Sequence, residues 1–133
     1  MGMTFQLAEK MLAATIKQAQ SEYKRPVSVA VVDAYGLLVA FARMDGARLR
    51  TVEIAQGKAY SATRMLSNTD AFLERLRRED VPASYFCDPK LTALPGGTIV
   101  KDAAGQVLGG IGISGLAPHE DQALGNAAAE LAL

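Results

Sequence analysis

The chain has 133 residues, half of them apolar, and 14 basic side chains balance 14 acidic ones. Such a length supports one globular domain with a real core, taken here as residues 1–133. The neutral balance excludes a global field that would draw in nucleic acid or an anionic membrane, and no apolar run approaches the ~20 residues of a membrane span.

The opening "MGMTFQLAEKM" lacks the basic-then-apolar layout of a signal peptide. Cys87 is alone, so one chain can form neither a disulfide framework nor a thiolate metal cluster. Both features point to a cytoplasmic, reducing compartment.

From Thr4, a plausible N-cap, the pattern is helical: Phe5, Ala8, Leu12, Ile16, Ala19 and Tyr23 recur every three or four residues. The Arg25-Pro26 step is expected to end that helix, because proline disfavours a helical residue before it. "VSVAVVDAYGLLVAFARM" then reads as a β-hairpin turning at Asp33–Gly36. "DGARLR" leads into a helix over 49–66, with Val52, Ala55, Gln56, Ala59 and Ala62/Thr63 as its inner face. Ser67 or Asn68 can cap a further helix carrying Phe72, Leu73 and Leu76 on one side. Pro82, Pro89 and Pro95 punctuate an irregular segment. "GGTIVKD", a turn at Asp102–Gly105 and "QVLGGIGIS" form a second antiparallel pair, whose turn shares the Asp-first, Gly-last chemistry of the first. Pro118 starts a last helix, with Glu120 and Asp121 near its positive dipole end and Leu124, Ala127/Ala128 and Leu131 as its stripe. Helix, hairpin, helix, helix, hairpin, helix predicts an α+β domain, an antiparallel sheet with helices on its faces.

Gly110 to Gly115, "GIGISG", fits the G-x-G-x-x-G pattern of a dinucleotide-binding turn. That fingerprint needs a parallel βαβ unit and an acidic residue about 20 positions on. Only 18 residues follow Gly115, and the preceding strand belongs to a hairpin, so nicotinamide or flavin dinucleotides are excluded. Glycines inside a strand instead mark a close approach, either by a packed helix or neighbouring subunit or by a ligand. In "LPGG", Leu94 to Gly97, a turn at a strand start would expose consecutive N–H groups suited to a carboxylate or phosphate.

"VVDAYGLLVAFARMDGA" (31–47), "EIAQGKAYSAT" (53–63), "LPGGTIVKDAAGQVLGGIGISG" (94–115) and "PHEDQALGNAA" (118–128) together resemble the GlcG/HbpS-like family. That family includes haem-binding proteins and the C-terminal domain of PduO-type cobalamin adenosyltransferases. The resemblance extends across nearly the whole chain and implies a profilin- or PAS-like fold. It also implies homo-oligomers built from dimers, with small-molecule ligands held in pockets or at subunit boundaries. Haem or a related tetrapyrrole is the ligand it favours. The one histidine, His119, stands where the family more usually has an acidic residue, and reads as an exposed first-turn residue. Tyr60, Tyr85, Cys87 and the five methionines are other ligands in principle, with Cys87 expected to be buried.

Within the matched segments, Arg43 and Asp45 close the first hairpin. Arg43 could clamp a carboxylate beside the Pro95, Gly96 and Gly97 turn, or contact Asp45 and fix the turn. Lys58, among small helical residues, reads either as a buried cation suited to acid–base work or as a snorkelling surface lysine. The expected pocket lies between "LPGG", the "RMDGA" hairpin end and the Lys58 helix, with Ser114 among its lining. Three readings follow: a structural subunit with no ligand, a small-ligand-binding protein, or an enzyme acting on a small organic acid by proton transfer. In the last, Arg43 and the glycine amides hold the anion while Lys58 or Tyr60 moves the proton.

Overall fold

The computed structural model describes residues 2–133. Helix α1 (Phe5–Gln18) begins where expected, its Thr4 hydroxyl accepting the Leu7 N–H at 3.1 Å. It continues as a π-helical turn, Ala19–Tyr23, and stops at Lys24, not at Arg25-Pro26. Lys24 sits in the left-handed region at φ +55° and its N–H returns to the Ala19 carbonyl, so a local cap ends the helix before the proline acts.

The first hairpin comprises β1 (Ser28–Asp33) and β2 (Leu38–Arg43), the second β3 (Gly97–Lys101) and β4 (Val107–Ser114). Their turns are built alike. The Asp33 carboxylate accepts the N–H groups of Tyr35 and Leu37 at 2.9 and 3.0 Å. Asp102 does the same for Ala104 and Gln106 at 3.0 and 2.9 Å. Gly36 and Gly105 close the turns at φ +82° and +84°.

The two hairpins join through their inner strands into one antiparallel sheet of order β2-β1-β4-β3. Its first face is covered by α2 (Arg50–Met65), followed by α3 (Thr69–Glu79). The opposite face carries α1 and α4 (Pro118–Ala129), where Met11, Val29, Val31, Ile111, Ile113 and Leu124 form the larger apolar cluster. The architecture is the expected α+β arrangement. No helix among the described residues is long and apolar enough to cross a membrane.

The glycine pattern of β4 is now explained by the alternation of a strand. Ile111 and Ile113 point into the larger cluster, and Gly110 and Gly112 face α2. A Cβ on Gly112 would overlap the Ala55 carbonyl, and one on Gly110 the Thr63 hydroxyl. The glycines let the backbone of α2 lie directly on the strand, so a packed helix accounts for the close approach. The buried residues of α2 are Thr51, Ala55, Lys58, Ala59, Ser61, Ala62 and Thr63, whereas Val52 and Gln56 are only half-buried. At the start of α3 the Asn68 carboxamide accepts the Ile99 N–H at 2.9 Å, tying the helix to β3 instead of capping its own first turn.

Candidate functional site

The end of the sheet where β3 begins is the place to build from. Gly96, at φ +134°, still accepts the Ile113 N–H at 2.9 Å, but it turns its own N–H to the Gln122 side-chain oxygen at 2.8 Å. The Ile113 carbonyl is left without a strand partner, and a buried carbonyl needs a donor. Lys58 supplies it: Nζ, reaching from α2, donates to Ile113 O at 2.8 Å and to Asp121 Oδ2 of α4 at 3.0 Å. Asp121 Oδ1 in turn accepts the Leu116 N–H at 3.0 Å. A Cβ on residue 96 would fall 2.6 Å from Lys58 Nζ and 2.7 Å from Ile113 O, so the crossing requires glycine there.

The pair is almost wholly out of water, the Lys58 and Asp121 side chains being 1% and 3% exposed. Burial pushes the Lys58 amine below its ordinary range, and the neighbouring Asp121 charge partly holds it up. The Asp121 carboxyl is pushed up by the same burial and partly held down by Lys58.

Lys58 and Asp121 form the floor of a cleft of about 650 Å³, a size ordinary for small-molecule sites. Its walls include Pro26, Ile54, Leu94 and Leu116, and Thr51 and Ser114 add hydroxyls. Arg25, Arg48 and Arg50 stand at its rim. Arg25 is paired with Glu120 at 2.7 Å. Among the described residues no carboxylate lies within 4.0 Å of Arg48 or Arg50, so the cleft carries two uncompensated guanidinium groups.

The cleft lies where the sequence places a pocket: Gly46 and Ala47 come from the hairpin end, Leu94 from the start of "LPGG", Lys58 from α2 and Ser114 from β4. Several residues expected to act there are elsewhere or otherwise engaged. Arg43 and Asp45 are exposed and outside the cleft lining, and no ion pair joins them. The amides of Gly96 and Gly97 do not cradle an anion, because Gln122 Oε1 and Thr69 Oγ1 each accept one at 2.8 Å in the interior. Pro95 borders a separate depression beside His119, which is exposed at the start of α4.

Tyr60 lies two residues beyond Lys58, about 200° around the helix. It lines other grooves, and its hydroxyl donates to Asp88 Oδ2 at 2.5 Å. That bond raises the phenol above its ordinary range and lowers the Asp88 carboxyl. The structure therefore does not bring Lys58, Tyr60, Arg43 and the glycine amides together as one proton-transfer site. Cys87 is exposed, not buried, because its left-handed backbone (φ +59°) closes a short 3₁₀ turn, Ala83–Phe86, at the surface. Among the described residues no cluster of three His, Cys, Asp or Glu side chains could hold a metal.

Asp121, Gln122, Arg48 and Arg50 are the site residues that sequence reasoning passes over. A signal for Asp121 was present: it precedes Leu124 and Ala128 by three and seven positions, on the apolar stripe of α4, where a lone carboxylate demands a buried partner.

A family described as haem degrading protein HbpS-like matches residues 3–130. GlcG of Escherichia coli K12 is 34% identical over 112 residues, covering 81% of each chain. A double mutant of Streptomyces reticuli HbpS superposes with a TM-score of 0.88 at 30% identity, over 98% of this chain and 87% of its own. A PduOC–haem complex superposes with a TM-score of 0.87 at 26% identity, over 98% of this chain and 95% of its own.

Proposed function

The chain belongs to the HbpS-like family, and from that premise and the chemistry of the cleft we propose that it is a small-ligand-binding protein for haem or a related tetrapyrrole. Haem is a flat apolar ring carrying two carboxylates. The apolar side chains among the walls of the cleft, Ile54, Leu94 and Leu116, suit the ring. The observation that carries the reading is the pair of guanidiniums, Arg48 and Arg50, without a carboxylate partner among the described residues, at the rim of a cleft whose walls mix apolar and polar side chains. Arginine forms strong, directional hydrogen bonds with carboxylates, which suits it to the propionates. A haem-bound complex of the similar PduOC fold supports the choice of ligand.

The donor set fits the ring and its acid arms but supplies no ordinary iron ligand. Among the described residues no His, Cys, Tyr or Met lines the cleft, and the Lys58 amine is held by Ile113 O and Asp121. When bound, haem would bring its own redox chemistry. The residues of this chain bind it, orient its carboxylates and keep water from one face.

The test is a haemin titration followed in the Soret region. Saturation at one haemin per chain is expected. Replacing Arg48 and Arg50 together by alanine should weaken binding about tenfold or more. Arg43→Ala, outside the cleft, should leave binding unchanged. A weak shift that never saturates would refute the proposal.

A further inference from the structure

We infer that this site holds a tetrapyrrole by its carboxylates and ring and not by its metal, so that the metal-free porphyrin is bound as well as the iron complex. The inference rests on the reading of the cleft given above and specifies the ligand class: carboxylate-bearing tetrapyrroles, with or without iron.

Among the described residues, no side chain that ordinarily holds haem iron lines the cleft. Iron in haem proteins is held by His, Cys, Met or Tyr. His119 is exposed and borders the Pro95 depression, not the cleft. The Tyr60 hydroxyl faces another groove and is committed to Asp88. Cys87 borders that same groove, beyond Tyr60, and Tyr85 is exposed nearby on the 3₁₀ turn. Met11 is buried in the core opposite α2, and the Met44 sulfur accepts the Val27 N–H at 3.3 Å.

Among the described residues, Lys58 is the one nitrogen base on the cleft floor. To ligate iron it would have to present a lone pair, and so give up the ammonium that donates to both Ile113 O and Asp121 Oδ2. Doing so would leave the Asp121 carboxylate in the interior without its counter-charge. The charges of the floor therefore match one another, and the uncompensated charge of the site is at its rim. Arg48 and Arg50 carry formal charge and no carboxylate partner among the described residues, and they meet the ligand where its carboxylates are.

The experiment titrates the full chain in parallel with haemin, protoporphyrin IX and protoporphyrin IX dimethyl ester, by Soret absorbance and by porphyrin fluorescence for the metal-free ligands. Haemin and protoporphyrin IX are expected to give dissociation constants within about threefold of one another, and the dimethyl ester one at least about tenfold weaker. Arg48→Gln/Arg50→Gln, whose side chains are exposed and whose fold is checked by circular dichroism, should weaken haemin and protoporphyrin IX by the same factor. Haemin binding about tenfold or more tighter than protoporphyrin IX would overturn the inference while leaving the binding function intact, since it would require an iron ligand from this chain or a second copy. Binding of the ester equal to that of the free acid would overturn it too. Failure of both haemin and protoporphyrin IX to saturate would refute the binding function itself.

Discussion

Lys58→Met removes the cation from the buried pair and leaves Asp121 facing the interior alone. Because the two side chains are 1% and 3% exposed, water cannot compensate either charge. Breaking a buried pair from one side costs about 3–5 kcal/mol, a large share of the ~5–15 kcal/mol that holds a typical domain folded. Asp121→Ala should cost as much, because it strands the Lys58 ammonium and also the Leu116 N–H. In Lys58→Met/Asp121→Asn both charges are gone, the carboxamide oxygen can still accept from Leu116, and the chief loss is the donor to Ile113 O, worth about 1–3 kcal/mol. Asp121→Asn alone completes the cycle, and the double variant should fall at least ~2 kcal/mol short of the sum of Lys58→Met and Asp121→Asn. The chain has no tryptophan, so urea unfolding followed by far-UV circular dichroism is the assay. Acid adds a second reading. Without Lys58 opposing it, the Asp121 carboxyl rises further above its ordinary range. A raised folded pKa confers stability that is full below the unfolded value, near 3.9, and is lost as pH rises through the folded one. The deficit of Lys58→Met relative to the double variant is therefore greatest at pH 7 and shrinks toward pH 4. Singles that cost under ~1 kcal/mol each, or that add, would refute the buried-pair argument.

Two further outcomes test the packing and the second polar cluster. Gly112→Ala places a methyl on the Ala55 carbonyl and 2.5 Å from the Ala59 amide, so α2 must lift off the sheet, at more than ~3 kcal/mol. Gly105→Ala meets open space and suffers only its φ of +84°, about 1–2 kcal/mol. Thermal unfolding should rank them in that order, and equal losses would refute the close approach. Tyr60 should ionise above the ordinary tyrosine range in a 295 nm titration read against Tyr60→Phe, and Asp88→Asn should bring it back down.

The order of elements was legible because each boundary had a local cause. Thr4 caps one helix, Asp33 with Gly36 and Asp102 with Gly105 close the hairpins, and Pro118 opens the last helix. The position of the cleft was legible for the same reason, since the segments that meet there are the irregular ends of those elements. The roles within it were not. Whether Gly96 and Gly97 offer their amides to a ligand depends on Gln122 and Thr69, which lie 26 and 28 residues away in the chain. Lys58 and Tyr60 look adjacent in sequence, yet the helix turns one to the floor of the cleft and the other to a separate groove. Asp121 was read as a dipole partner at a helix start, a reading that its place on the apolar stripe should have overridden.

One backbone choice links these parts. Gly96 diverts its N–H to Gln122, and the Ile113 carbonyl that it leaves open draws Lys58 past the end of the sheet. A lysine buried there requires a carboxylate, and Asp121 can provide it only from α4, on the opposite face. The pair therefore ties α2 to α4 at the sheet's end, and the first turn of α2, with Arg50 on it and Arg48 just before, is carried to the mouth of the resulting cleft. Lys58 lies eight residues after Arg50, roughly 12 Å along the helix axis, so floor and rim are held by one rigid element. The floor fixes the shape of the cleft, and its cation is already matched by Asp121. The rim offers the Arg48 and Arg50 charges, which no carboxylate among the described residues neutralises. A ligand that satisfies both must bury an apolar body against the walls and present its anionic groups outward at the mouth, the orientation that a porphyrin carrying two acid arms on one edge can adopt.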